Sequence, residues 1–96
     1  MKLRARIMEE VKSSDKSIIV EFESDKEKQH FEVHCNFSPF YEKIEKWDIW
    51  DLVIKFKSEI FTEPKKGDKS YFTHLICTKA HLYHKIGSIG KEYQNK

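Results

Sequence analysis

The stretch KSYFTHLICTKAHLYH, residues 69–84, gathers three of the chain's five histidines, two of its four tyrosines and one of its two cysteines. Thiolate and imidazole are the donors that zinc takes, so Cys77, His81 and His84 are the first candidates for a metal site. Their spacing argues against it. Thr73, Ile76, Thr78 and Tyr83 favour a strand, on which successive side chains point to opposite faces. Cys77 and His81 then share a face and His84 does not. Four residues of strand span about 13 Å, too far for two side chains to hold one ion. His34 and Cys35 alternate in the same way, so the expectation is no metal and no cofactor, with cysteine serving as a small buried residue.

Nucleophilic catalysis fares no better. A Cys–His–Asp set can be drawn from Cys35 or Cys77, yet neither cysteine sits at a helix start, where a thiolate is favoured. There is no nucleophile elbow, phosphate loop or metalloprotease motif. The sequence therefore points away from an enzyme, with no catalytic residue assigned.

Binding of single-stranded nucleic acid needs a cationic path and exposed rings on which bases stack. The candidate cations are Arg4 and Arg6, Lys55 and Lys57, and the group Lys65, Lys66 and Lys69 around EPKKGDKS. The candidate rings are Phe72 and Tyr83, with Trp50 and Phe61 beside them. Each has a plainer reading: Phe72 as core, Trp50 as a cap on the fold, the lysines as a solvated surface. The overall balance, 18 Lys and Arg against 16 Asp and Glu, does not itself demand a polyanion. Glu21, Glu23 and Glu32 oppose one, because carboxylates repel phosphates.

The elements that must position these residues follow from periodicity. Leu3, Ala5 and Ile7 alternate with Lys2, Arg4 and Arg6; Ile18, Val20 and Phe22 with Ile19, Glu21 and Glu23; Phe31, Val33, Cys35 and Phe37 with Glu32, His34 and Asn36. A period of two marks half-buried strands, and polar breaks at SSDKS and SDKEKQ join these three as an antiparallel meander. At SPFYEKIEKW the period changes. Ser38 suits a helix N-cap, Pro39 the first turn, and Phe40, Ile44 and Trp47 line one side of a short helix. Leu52, Ile54 and Phe56 then begin a fourth strand that can run to Phe61, and after a loop at Glu63–Ser70 the opening stretch forms a fifth. In that fifth strand Tyr71, Thr73, Leu75 and Cys77 face inward and Phe72, His74, Ile76 and Thr78 outward, unless a bulge reverses the alternation. The order β-β-β-α-β-β is that of the OB-fold, an all-β five-stranded barrel with one short helix. Residues 1–84 make one domain, and 85–96 read as a polar, flexible tail.

The segment from Trp47 to His81, DIWDLVIKFKSEIF, a loop, then KSYFTHLICTKAH, resembles the closing strands of a small bacterial OB-fold family of uncharacterised function that is similar to single-stranded DNA-binding proteins. Tyr71, Phe72, Thr73 and Leu75 match its aromatic-Thr-x-aliphatic core, while Thr78 stands where an aromatic residue would be expected. The end, YQNK, lacks the acidic, apolar tip through which bacterial single-stranded DNA-binding proteins recruit partners. Taken with the cationic and aromatic candidates, the expectation is weak, sequence-nonspecific binding of single-stranded DNA or RNA.

The competing expectation is a protein-interaction or dimerisation module without nucleic-acid binding, using Ile19, Val53 and Phe61 as an apolar contact. A homodimer also suits the first reading, because two copies lengthen one short groove. Two cysteines without a disulfide framework point to a reducing compartment. MKLRARIMEEV has no apolar signal core, and no run is long enough to span a membrane. A cytoplasmic location with no membrane contact is expected.

Overall fold

Alternating apolar residues build β1 (Lys2–Ile7), β2 (Ser17–Phe22), β3 (His30–Cys35), β4 (Ile49–Thr62) and β5 (Lys69–His84) in the computed structural model, which describes residues 1–85. The strands close into one barrel in the order β1-β2-β3-β5-β4, with β4 returning to β1. Every pairing is antiparallel except β3 with β5, which run parallel through Val33–Leu75, His34–Ile76 and Cys35–Cys77. This arrangement fits the OB-fold. Ala5, Ile7, Val20, Val33 and Leu52 are fully enclosed, as the alternation in their strands requires.

Among the described residues there is no helix, which corrects the expectation for Ser38–Trp47. The chain makes one turn there, with the Glu42 N–H donating to the Ser38 carbonyl, and stops. Lys43 takes φ +63°, its N–H bonds back to the Phe40 carbonyl, and the Ile44 N–H bonds to the Pro39 carbonyl. That pair of bonds about a left-handed residue is the Schellman stop, and its apolar contact is supplied by buried Pro39 and Ile44. The Ser38 hydroxyl is enclosed and caps nothing. Of the three residues expected on one helix face, Ile44 is buried while Phe40 and Trp47 are exposed. Trp47 is itself left-handed at φ +76°, its N–H given to the Ile7 carbonyl, which ties the turn to β1.

Strand length produces the most consequential feature. β1 pairs with β4 only as far as Val53, and β3 pairs with β5 only at Val33–Cys35. Beyond those limits β4 and β5 continue together to Thr62 and Lys69, joined by a turn in which Gly67 adopts φ +70°. Eight residues of strand reach about 27 Å, so this hairpin arm stands clear of the barrel and contributes to a longest dimension of 63 Å against 31 and 20 Å. Phe56 and Tyr71, expected inward, lie on the arm and are exposed.

Two register shifts modify β5. Val53 pairs with Lys79 but Ile54 with Cys77, leaving Thr78 as an extra residue, and Tyr83 is passed over in the same way between Leu82 and His84. The bulge at Thr78 reverses the alternation: Cys77 is fully enclosed, Lys79 faces out, and His81 is exposed. Cys77 and His81 therefore do not share a face, contrary to the strand-periodic expectation. Of the tail, Lys85 is described and bonded: its ammonium donates to buried Asp48 at 3.1 Å. The rest of the expected tail lies outside the described residues.

Candidate nucleic-acid interface

The outer face of the arm is assembled by cross-strand register. Lys55 lies opposite Ile76, Lys57 opposite His74, Glu59 opposite Phe72, and Phe61 opposite Ser70. Side chains alternate across a strand, so Lys55, Lys57 and Phe61 share one face with Phe72 and His74. Phe61 and Phe72 meet edge to face with centroids 6.3 Å apart, and they remain 63% and 50% exposed. Paired rings hold each other in place while leaving faces open to solvent. Lys65 and Lys66 sit in the turn, and Lys69 opens β5 opposite Thr62 on the other face of the arm.

This outer face runs without interruption onto the barrel. His74 packs against His34 of β3 with ring centroids 5.9 Å apart, and His34 is exposed between inward Val33 and Cys35. Of the carboxylates that oppose phosphate, Glu21 and Glu32 each lie beside an imidazole, while Glu23 lies beside Arg4. Glu21 lies 3.5 Å from His30, Glu32 lies 3.5 Å from His34, and on the arm Glu59 lies 2.9 Å from His74. A carboxylate only accepts, so His74 presents an N–H to Glu59. Ser17 adds a hydroxyl hydrogen bond to Glu32. The sequence offers no signal for these histidine partners, which cross-strand register and local spacing supply.

Arg4 and Tyr83 form a separate cluster. The Arg4 Nε donates to Asp51 Oδ1 at 2.9 Å, its Nη2 approaches Asp51 Oδ2 at 3.4 Å, and its guanidinium stacks 3.5 Å over the Tyr83 ring. Glu23 lies 3.9 Å away. Hydrogen bonding to Asp51 raises the Arg4 pKa, and the same bond from Arg4, with its charge, holds Asp51 below the usual carboxylate range. The cation is therefore committed within the protein. Tyr83 and Phe72 are eleven residues apart on β5, about 36 Å along a strand, so one short ligand does not touch both through the arm. Arg6 is exposed on the same side as Arg4, with no ion pair among the described residues.

The expected site thus divides. Lys55, Lys57, Lys65, Lys66, Phe61 and Phe72 belong to the arm, Lys69 to its reverse face, and Arg4, Arg6 and Tyr83 to the β1–β4–β5 side. Trp50 is 5% exposed and belongs to the core, which removes it as a stacking platform. The reverse face of the arm carries Phe56, Ile60 and Tyr71, all exposed. Of these, Phe56 and Tyr71 read as core, and Ile60 gave no signal. What could have marked them is length, since six-residue partners cannot cover strands of fourteen and sixteen residues.

The chain shares its fold with a single-stranded DNA-binding protein. The crystal structure of the mitochondrial single-stranded DNA-binding protein Rim1 from S. cerevisiae superposes with a TM-score of 0.56 at 14% identity, covering 88% of this chain and 94% of that one. No protein-family model and no curated protein matches the sequence. Among the described residues no group of three or more His, Cys, Asp or Glu is placed to hold a metal ion, and no helix is long and apolar enough to cross a membrane.

Proposed function

We propose that the protein is a non-catalytic binding module that takes single-stranded nucleic acid weakly and without sequence specificity, through the outer face of the arm and the adjoining surface of β5 and β3. The observation that carries this reading is the exposed Phe61–Phe72 pair with Lys55 and Lys57 on the same face. Every base has a π-face, so stacking on rings tolerates sequence, and lysine contacts to phosphate carry none. OB-folds use the surface of strands 2 and 3 and the loop between strands 4 and 5 for oligonucleotides. The arm is that loop, extended. The shared fold with Rim1, a single-stranded DNA-binding protein, supports the same reading. Chemical-shift mapping with an oligo-dT tests it. Shifts gathered on Lys55–Phe61, Phe72, His74 and His34 support this path, and shifts confined to Arg4, Arg6 and Tyr83 overturn it.

A second reading rests on the reverse face, where exposed Phe56, Ile60 and Tyr71 carry no charge between them. A protein contact or a second copy seated there resists salt, whereas a phosphate contact does not.

A further inference from the structure

Cys35 and Cys77 are register partners on the single parallel seam of the barrel, both as free thiols. Neighbouring strands lie about 4.8 Å apart, within the roughly 4.4–6.8 Å between Cα atoms that a disulfide spans. As register partners their side chains turn to the same side of the sheet. The Cys77 thiol in turn donates to the Lys79 carbonyl at 3.1 Å, across the bulge at Thr78. Hydrogen bonding between the two side chains pushes the Cys35 thiol far above its ordinary range and draws Cys77 below it, so the two ionise as one pair.

Access is unequal. Cys77 is fully enclosed, but Cys35 is half-buried and lines an open cleft of about 550 Å³ with Ser13, Ser14, Lys16, Asn36 and Ser38. The backbone fixes this arrangement, since the Cys35 N–H bonds to the Lys16 carbonyl and the Asn36 N–H to the Cys77 carbonyl. Cys35 is thus the member of the pair that borders the cleft, with Cys77 enclosed beside it.

We propose that Cys35 and Cys77 form a redox-active dithiol site, oxidised by a low-molecular-weight disulfide that enters the cleft. Ionisation of the pair places the charge first on Cys77, and proton transfer from Cys35 to Cys77 across the seam then gives the Cys35 thiolate that borders the cleft. The Cys35 thiolate attacks one sulfur of the small disulfide, and the other sulfur leaves with the bonding electron pair and takes up a proton. Cys77 gives up its proton and attacks Cys35 Sγ, expelling the second small thiol. The balance is two protein thiols oxidised to one disulfide and one small disulfide reduced to two thiols. The product clips β3 to β5 where only three register pairs hold them. This site is independent of the nucleic-acid reading.

The test is oxidation of the folded, full-length chain with oxidised glutathione, followed by alkylation under denaturing conditions and intact mass. The expected product has lost two hydrogen atoms, carries no glutathione, accepts no alkylating group, and reverts with dithiothreitol. Cys77→Ala is expected to stop at the mixed disulfide, with one glutathione on Cys35. The proposal is overturned if the native protein retains a stable glutathione adduct with Cys77 still alkylatable, if only disulfide-linked dimers form, or if both thiols survive oxidation.

Discussion

Phe61 and Phe72 stand edge to face, 6.3 Å apart, on a hairpin that extends past every strand able to cover it. A two-stranded hairpin is marginal by itself in water, so exposed rings here serve either each other or a ligand. Stacking on one aromatic ring is worth about 1–3 kcal/mol per base. Phe72→Ala should therefore weaken oligo-dT binding roughly tenfold or more, since about 1.4 kcal/mol is a factor of ten. The melting temperature should move little, because both rings lie outside the core. Anisotropy titrations beside thermal melts check both halves.

Lys43→Gly should stabilise the fold. Lys43 holds φ +63° at the Schellman stop, and a left-handed residue with a Cβ costs roughly 1–2 kcal/mol, part of which glycine returns through its freer unfolded chain. A net gain of about 0.5–1 kcal/mol is expected, raising the melting temperature by a few degrees in a domain of this size.

Arg4 and Asp51 give the acid limit a component with a definite sign. Arg4 lowers the Asp51 pKa in the folded state, so the stabilisation is present above the ordinary carboxylate value of about 4 and is lost as pH falls through the lowered value. Melting temperatures of the native protein and Asp51→Asn should converge on acidification and separate again above pH 5. Convergence at neutral pH would contradict the pairing.

The Lys85–Asp48 pair acts at the other end of the scale. Burial opposes the Lys85 charge, but hydrogen bonding and attraction from Asp48 and Glu45 outweigh it and raise the pKa. Its stabilisation is complete below the usual lysine value of about 10.4 and is lost as pH rises through the raised one. Lys85→Met should cost about 1–3 kcal/mol at neutral pH, because it removes the cation bonded to an enclosed carboxylate. A chain ending at His84 should melt below one ending at Lys85. Denaturant titrations of the native chain, Lys85→Met and the two truncated chains measure it.

The barrel was legible because period-two alternation reports burial directly. Leu3, Ala5 and Ile7, or Ile18, Val20 and Phe22, face inward as their spacing demands. The helix was misread because Phe40, Ile44 and Trp47 carry helical spacing, while the feature that stops the turn is backbone conformation at Lys43, a residue type that gives no warning of φ > 0. The arm was half legible: β4 was expected to reach Phe61, but alternation alone does not say where the covering strands end, so Phe56 and Tyr71 read as core. Bulges at Thr78 and Tyr83 depend on pairing with β4 and leave no local mark. The Cys35–Cys77 partnership, 42 positions apart, is created only by the parallel seam.

The most direct test of the nucleic-acid reading is the salt dependence of labelled oligo-dT binding, measured for the native chain and for Lys55→Glu/Lys57→Glu. Each phosphate contact contributes about −0.7 to the slope of log affinity against log salt for single strands. The account predicts micromolar binding at low salt that falls steeply as salt is added, with affinity and slope both lost in the double variant. Absence of binding at low salt, or binding that the double variant and added salt leave unchanged, would contradict it.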